Sequence, residues 1–169
     1  HFILTCQDGG YLQVGETGFI PNSAKILVVK TDQNGGLLWK KEFSGGTGHN
    51  LGNSAYEIED GYLICGSMNQ NSSLIKLNKI DGSVIFEKTH DNGGSDAYEH
   101  IALSANGNLI AVGYIDADDG NNTFFTEGKG YISILDSDGN KINGIGLQNE
   151  MAQAYRIKKL GNEFVISGL

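Results

Sequence analysis

Asp60-Gly61-Tyr62-Leu63-Ile64-Cys65-Gly66 reads as a tight turn, an apolar run and a closing glycine, and the same phrase returns three more times. The other copies are Asp8-Gly9-Gly10-Tyr11-Leu12-Gln13-Val14-Gly15, Asn106-Gly107-Asn108-Leu109-Ile110-Ala111-Val112-Gly113 and Gly161-Asn162-Glu163-Phe164-Val165-Ile166-Ser167-Gly168. Between them lies a second phrase, an apolar strand, a polar turn and another strand. It runs Ile26–Lys30, Asp32–Gly36 and Leu37–Trp39, then Leu74–Leu77, Asp81-Gly82 and Val84–Phe86, then Tyr131–Leu135, Asp138–Asn140 and Lys141-Ile142. Asp-Gly and Asn-Gly between apolar runs mark hairpins, because these residues accept the positive φ that a two-residue turn requires. A third phrase is an Ala-Tyr pair, at Ala55-Tyr56, Ala97-Tyr98 and Ala154-Tyr155, with the tyrosines 42 and 57 residues apart.

The longer spacing holds a polar insertion, residues 116–128, without strand pattern. Without it each unit has about four short strands in roughly 40–50 residues, the pattern of a β-propeller blade. One blade cannot bury both faces, so blades stack and cover one another. The spacing therefore predicts an all-β fold of about three and a half four-stranded antiparallel blades. The expected bounds are a half-blade at 1–15 and units at 16–66, 67–113 and 114–169. Met151–Lys159 has the length of a short helical turn, but its place in the repeat predicts a strand. The chain opens in mid-strand at Phe2-Ile3-Leu4 and stops in mid-pattern at Leu169. A piece of a longer ring is expected, with any sorting signal outside it and its remaining blades supplied by further chain or another subunit.

Composition narrows the function classes. The chain has 169 residues and a formal net charge of -8, with 25 glycines and one proline. Nucleic-acid and anionic-membrane partners are disfavoured, since both need clustered Lys and Arg. No apolar run has the length of a membrane span, so no membrane insertion is expected. Cys6 and Cys65 lack CxxC spacing, and two readings stand: a disulfide, or two buried thiols.

The phrases Leu27-Val28-Val29-Lys30-Thr31-Asp32-Gln33-Asn34-Gly35, Leu38-Trp39-Lys40-Lys41 and Asp8-Gly9-Gly10-Tyr11-Leu12 resemble a propeller repeat common in secreted and surface proteins of bacteria, especially Bacteroidetes, and of some archaea. The resemblance spans nearly the whole chain. It implies an extracellular or cell-surface location. The turn-then-Trp phrase is also similar to blades of pyrroloquinoline-quinone dehydrogenases, whose docking motif repeats a Trp. Here Trp39 stands once, with Phe86 and Asn143 in the matching slots, so the cofactor motif does not carry over. No cofactor is expected, and a Trp or Phe at a strand end is expected to pack blade on blade.

Candidate sites fall in loops. Asp116, Asp118 and Glu127 carry a spacing like that of an EF-hand, which nominates Ca2+; the sixth-position glycine is replaced by Asn121, and a solvated acidic loop is the competing reading. The Asp32-Asn34 and Asp136-Asp138-Asn140 turns offer further oxygens, which a hairpin turn also uses for its own backbone. His49, Asn53, Asp96 and Gln153 precede or flank the Ala-Tyr pairs and differ from copy to copy, as ligand-binding residues at a channel mouth would. The three tyrosines are expected to fill one repeated slot between blades. Two Asn-x-Ser/Thr triplets, at Asn71 and Asn121, are expected in loops. No Gly-x-Ser-x-Gly elbow, phosphate-binding glycine loop or recognisable carboxylate pair occurs. The expectation is a non-enzymatic scaffold or binding platform for a protein or carbohydrate. The alternative is a hydrolase, lyase or quinone-dependent enzyme with its site at the channel mouth.

Overall fold

The computed structural model describes residues 1–18, 24–46, 50–117 and 128–169. These form fourteen strands and, among the described residues, no helix. The strands are β1 (Phe2–Thr5), β2 (Tyr11–Thr17), β3 (Lys25–Thr31), β4 (Leu37–Phe43), β5 (Asn50–Ile58), β6 (Gly61–Met68), β7 (Asn71–Leu77) and β8 (Val84–His90). They continue as β9 (Ser95–Leu103), β10 (Leu109–Ala117), β11 (Lys129–Leu135), β12 (Lys141–Gly146), β13 (Ala154–Leu160) and β14 (Glu163–Gly168). All pairings are antiparallel between chain neighbours, giving sheets β1–β4, β5–β8, β9–β12 and the two-stranded β13–β14. Met151–Lys159 is thus no helix; from Ala154 onward it is strand, as the repeat predicts.

Strand count and sheet grouping separate here. Residues 2–15 are not a half-blade of their own, because Tyr11–Thr17 pairs along its length with Lys25–Thr31. The hydrogen-bonded groups run 2–43, 50–90, 95–146 and 154–168, so units at 16–66, 67–113 and 114–169 cut through sheets. A period fixes how often a pattern recurs and not where a sheet starts; backbone pairing decides that.

Strand alternation gives each sheet two apolar faces. Leu12, Val14, Ile26 and Val28 of the first sheet meet Tyr62, Ile64, Ile75 and Leu77 of the second. The other face of the second sheet, with Leu63, Cys65 and Leu74, meets Tyr98, Ile101, Leu109 and Ala111. Val112, Ala102 and Ile110 then meet Ala154, Ile157, Phe164 and Ile166. The leading strands β1, β5, β9 and β13 pack in series, each against the next. Cys6 and Cys65 lie in different clusters and are free, which settles the thiol question; burial pushes Cys65 up to about 12.

The closing glycine of the repeat has a specific cause. On each of β5, β9 and β13 one residue bulges opposite it: Asn53 opposite Gly66, Glu99 opposite Gly113, Tyr155 opposite Gly168. The bulge drives a carbonyl into the glycine, so a Cβ there would collide with Leu51, Ala97 or Gln153 oxygen respectively.

The opposite ends of the sheets carry the hairpin turns, and their chemistry repeats. Trp39 pairs with Lys30, Phe86 with Lys76 and Asn143 with Ile134, so the three residues do occupy one slot. Trp39 Nε1 donates to the Lys79 carbonyl of the next sheet at 3.2 Å, and its ring lies against Gly82. Phe86 lies in the same way against Gly139. Gly35 is the matching turn of the first sheet and meets no neighbour within 4 Å.

Candidate functional site

The loop end of the sheets is where the sequence placed its ligand-binding residues, and there the repeats diverge. Asn53 is buried; its amide Nδ2 donates to the Tyr98 carbonyl and to Glu99 Oε1, both at 3.1 Å. One bulge residue therefore reaches the next across neighbouring leading strands. Glu99 in turn feels Arg156, which follows the third bulge residue, Tyr155. Arg156 is exposed and its Nη1 donates to the Tyr155 carbonyl at 2.8 Å. Tyr114 of β10 lies in the electrostatic reach of Glu99, Asp96 and Tyr155.

This environment changes the acid–base character of its members. Burial pushes the Glu99 carboxyl up to about 7, with Arg156 pulling the other way. Burial and then the Glu99 charge raise Tyr155. His100 is lowered by burial and by Arg156; its buried Nδ1 has no hydrogen-bond partner among the described residues, and its ring meets Phe2 edge-on at 5.7 Å. Gln153 is 2% exposed and its Oε1 has no hydrogen-bond partner among the described residues.

Other expected site residues have different work. Asp96 is buried and accepts the Asn92 amide at 2.6 Å and the Asp116 amide at 3.1 Å, tying two loop strands together. The Asp116 carboxylate is ion-paired with Lys129. His49, Asp118, Glu127 and Asn121 lie outside the described residues. No group of three His, Cys, Asp or Glu among the described residues has the geometry of a metal site. The acidic turns serve their own backbones: Asp32 Oδ1 accepts the Asn34 and Gly36 amides, and Asp136 Oδ1 those of Asp138 and Asn140. Asn71 begins strand β7, with Ser72 and Ser73 buried, and is not in a loop.

The repeated Ala-Tyr pairs are not equivalent positions. Counting from the bulge, Tyr98 matches Gly52 and Ala154, whereas Tyr56 lies three residues after its bulge and Tyr155 is itself one. The single slot expected for these tyrosines does not exist. Tyr98 is a buried interface residue bonded to His90 Nδ1 at 2.8 Å, while Tyr56 and Tyr155 are half-buried. Glu99, Arg156 and Tyr114 were missed by sequence reasoning. Their signal was available: the residue opposite each repeat glycine, and the fact that Arg156 is the chain's sole arginine.

No protein-family model matches the chain, and no curated protein matches it.

Proposed function

We propose that the chain is a run of β-propeller blades that serves as a non-enzymatic binding platform for a protein or carbohydrate, in a secreted or cell-surface protein. The observation that carries the reading is the set of bulges. Successive leading strands, packed in series, hold different polar residues at one structural position, Asn53, Glu99 and Tyr155. A shared frame with changing display suits recognition. The location rests on the resemblance of the repeat phrases. Further blades complete the ring. Their seat is the outward face of the first sheet, where Ile3, Gln13, Leu27 and Val29 line a groove and the Gly35 turn stands open to an aromatic like Trp39.

The near-neutral range of Glu99 favours a second reading, a propeller enzyme using this carboxyl in proton transfer. One experiment separates them. The chain is offered to arrays of defined oligosaccharides and peptides, and in parallel to hydrolase, lyase and quinone-dependent dehydrogenase assays. Saturable capture without turnover, weakened by Asn53→Ala, is expected. Turnover abolished by Glu99→Gln overturns the platform reading in favour of the enzyme, and an array that retains nothing overturns it outright.

A further inference from the structure

We propose that Arg156 anchors a carboxylate-binding subsite at the loop end of the sheets, with Asn53 and Glu99 on the two preceding leading strands forming its polar wall. The inference rests on the platform reading and names the chemistry its surface takes. The chain has 12 Lys and Arg residues against 20 Asp and Glu, yet only one of the 12 is an arginine. That residue sits next to the Tyr155 bulge, exposed, in a sheet packed against the Glu99 strand. Among the described residues it makes no ion pair, although six lysines of the chain do. Only its Nη1 is engaged by a backbone carbonyl in the described structure, which leaves the guanidinium edge to meet a planar anion through two parallel N–H bonds. Glu99, which feels the Arg156 charge, accepts the Asn53 amide at 3.1 Å. His100, on the strand between Asn53 and Arg156 and within reach of the Arg156 charge, has a buried Nδ1 with no hydrogen-bond partner among the described residues.

The site carries a built-in pH dependence. The groups in electrostatic reach of Glu99 are Cys65 on β6, Tyr114 on β10, and Tyr155 and Arg156 on β13, while His100 follows it on β9 and Asp96 lies three residues before it. Cys65 and both tyrosines, which ordinarily titrate above the neutral range, are raised further by burial, and His100 is lowered. Burial raises Asp96, with the Asn92 and Asp116 amides pulling the other way. Burial pushes Glu99 up to about 7, so Glu99 changes charge between pH 6 and 8. Protonated, it leaves the Arg156 charge to the ligand; ionised, it repels a carboxylate. Affinity falls as pH rises.

The sole arginine gives a single side-chain Nε–Hε signal, so the test reads the proposed atom directly. The 15N-labelled chain is titrated with glucuronate and with N-acetylglycine, and with methyl glucoside and N-acetylglycinamide as uncharged controls. Both carboxylates are expected to shift that signal saturably and the controls to leave it in place. The tighter of the two tells a sugar acid from a peptide terminus. Arg156→Lys should weaken binding roughly tenfold, with the amide spectrum otherwise unchanged. Glu99→Gln should remove the loss of affinity between pH 6 and 8. An unmoved Nε–Hε signal, an equal response to the neutral controls, or full affinity in Arg156→Lys overturns the subsite. Array capture that survives Arg156→Lys overturns the subsite alone; loss of all capture by the unmutated chain overturns the platform.

Discussion

The first and second sheets carry the same parts at their turn ends. Lys30 is buried and paired with Asp8 at 2.8 Å, Lys76 with Asp60 at 2.7 Å, and an aromatic residue of each sheet lies on a glycine of the next. In the third sheet the parts change together: Ile134 stands at the lysine position, Asn106 at the aspartate position of the same five-residue turn, and Asn143 in the aromatic slot. The loop ends show no such coordination. Asn53, Glu99 and Tyr155 share a backbone position and little chemistry. Residues that one sheet needs in order to hold the next are copied or exchanged as sets, because a buried ammonium without its carboxylate is costly. Residues displayed beside the bulges are free to differ.

The contrast is open to test, and the largest effect belongs at the turn end. Trp39→Ala should cost about 3–5 kcal/mol, since it removes a ring that is 8% exposed and spans two sheets. Trp39→Phe, which copies the second sheet, should lose about 1 kcal/mol for the missing bond to the Lys79 carbonyl. Denaturant curves followed by circular dichroism measure both. If the two cost the same, the ring is not what joins the sheets.

Two glycines sharpen the comparison next. Gly66→Ala should cost about 3 kcal/mol, because its Cβ meets the Leu51 carbonyl and the bulged strand has to move. Gly107→Ala, in an open turn at φ +86, should cost about 1 kcal/mol of backbone strain. Reversal of that order in thermal melts would remove the packing explanation of the repeat glycine.

A smaller effect is expected at the ion pair. Asp8→Asn leaves Lys30 buried beside a neutral partner, a loss of about 1–2 kcal/mol after allowance for the exposed side of Asp8. Adding Lys30→Ile reproduces the third sheet and should restore most of it; a double-mutant cycle reads the coupling. Purely additive costs would show that the replacements in the third sheet are unrelated.

A pH-dependent effect belongs at the loop end. Glu99 is raised, so the folded chain holds its proton more tightly than the unfolded chain does. The stability this lends is complete below the ordinary glutamate range and is lost as pH rises through about 7. The melting temperature should fall modestly from pH 5 to pH 8, and Glu99→Gln should flatten that slope.

Much of this architecture was legible in residues. Asp-Gly and Asn-Gly turns between apolar runs announced the hairpins, and the matching of Trp39, Phe86 and Asn143 held to the register. The Asn69-Gln70 turn was not read, although both residues adopt the positive φ of a tight hairpin. The Ala-Tyr pairs misled because identical letters fell at different distances from the bulge. Of the residues nominated for ligand binding, Asn53 stands at a bulge and Asp96 accepts two loop amides, positions that depend on strand register and not on local pattern.

The sequence by itself determined most of the strands, the Asp-Gly and Asn-Gly turns and the number of units, because turn chemistry and period-two alternation are local properties. Tertiary structure alone decided where each sheet begins, which residue bulges opposite its glycine, that Asn53 bonds Glu99, and that the Arg156 charge reaches Glu99. Those choices depend on hydrogen bonds between strands and on packing between sheets, where the partner of a residue is set by the register of a chain segment some forty to fifty positions away.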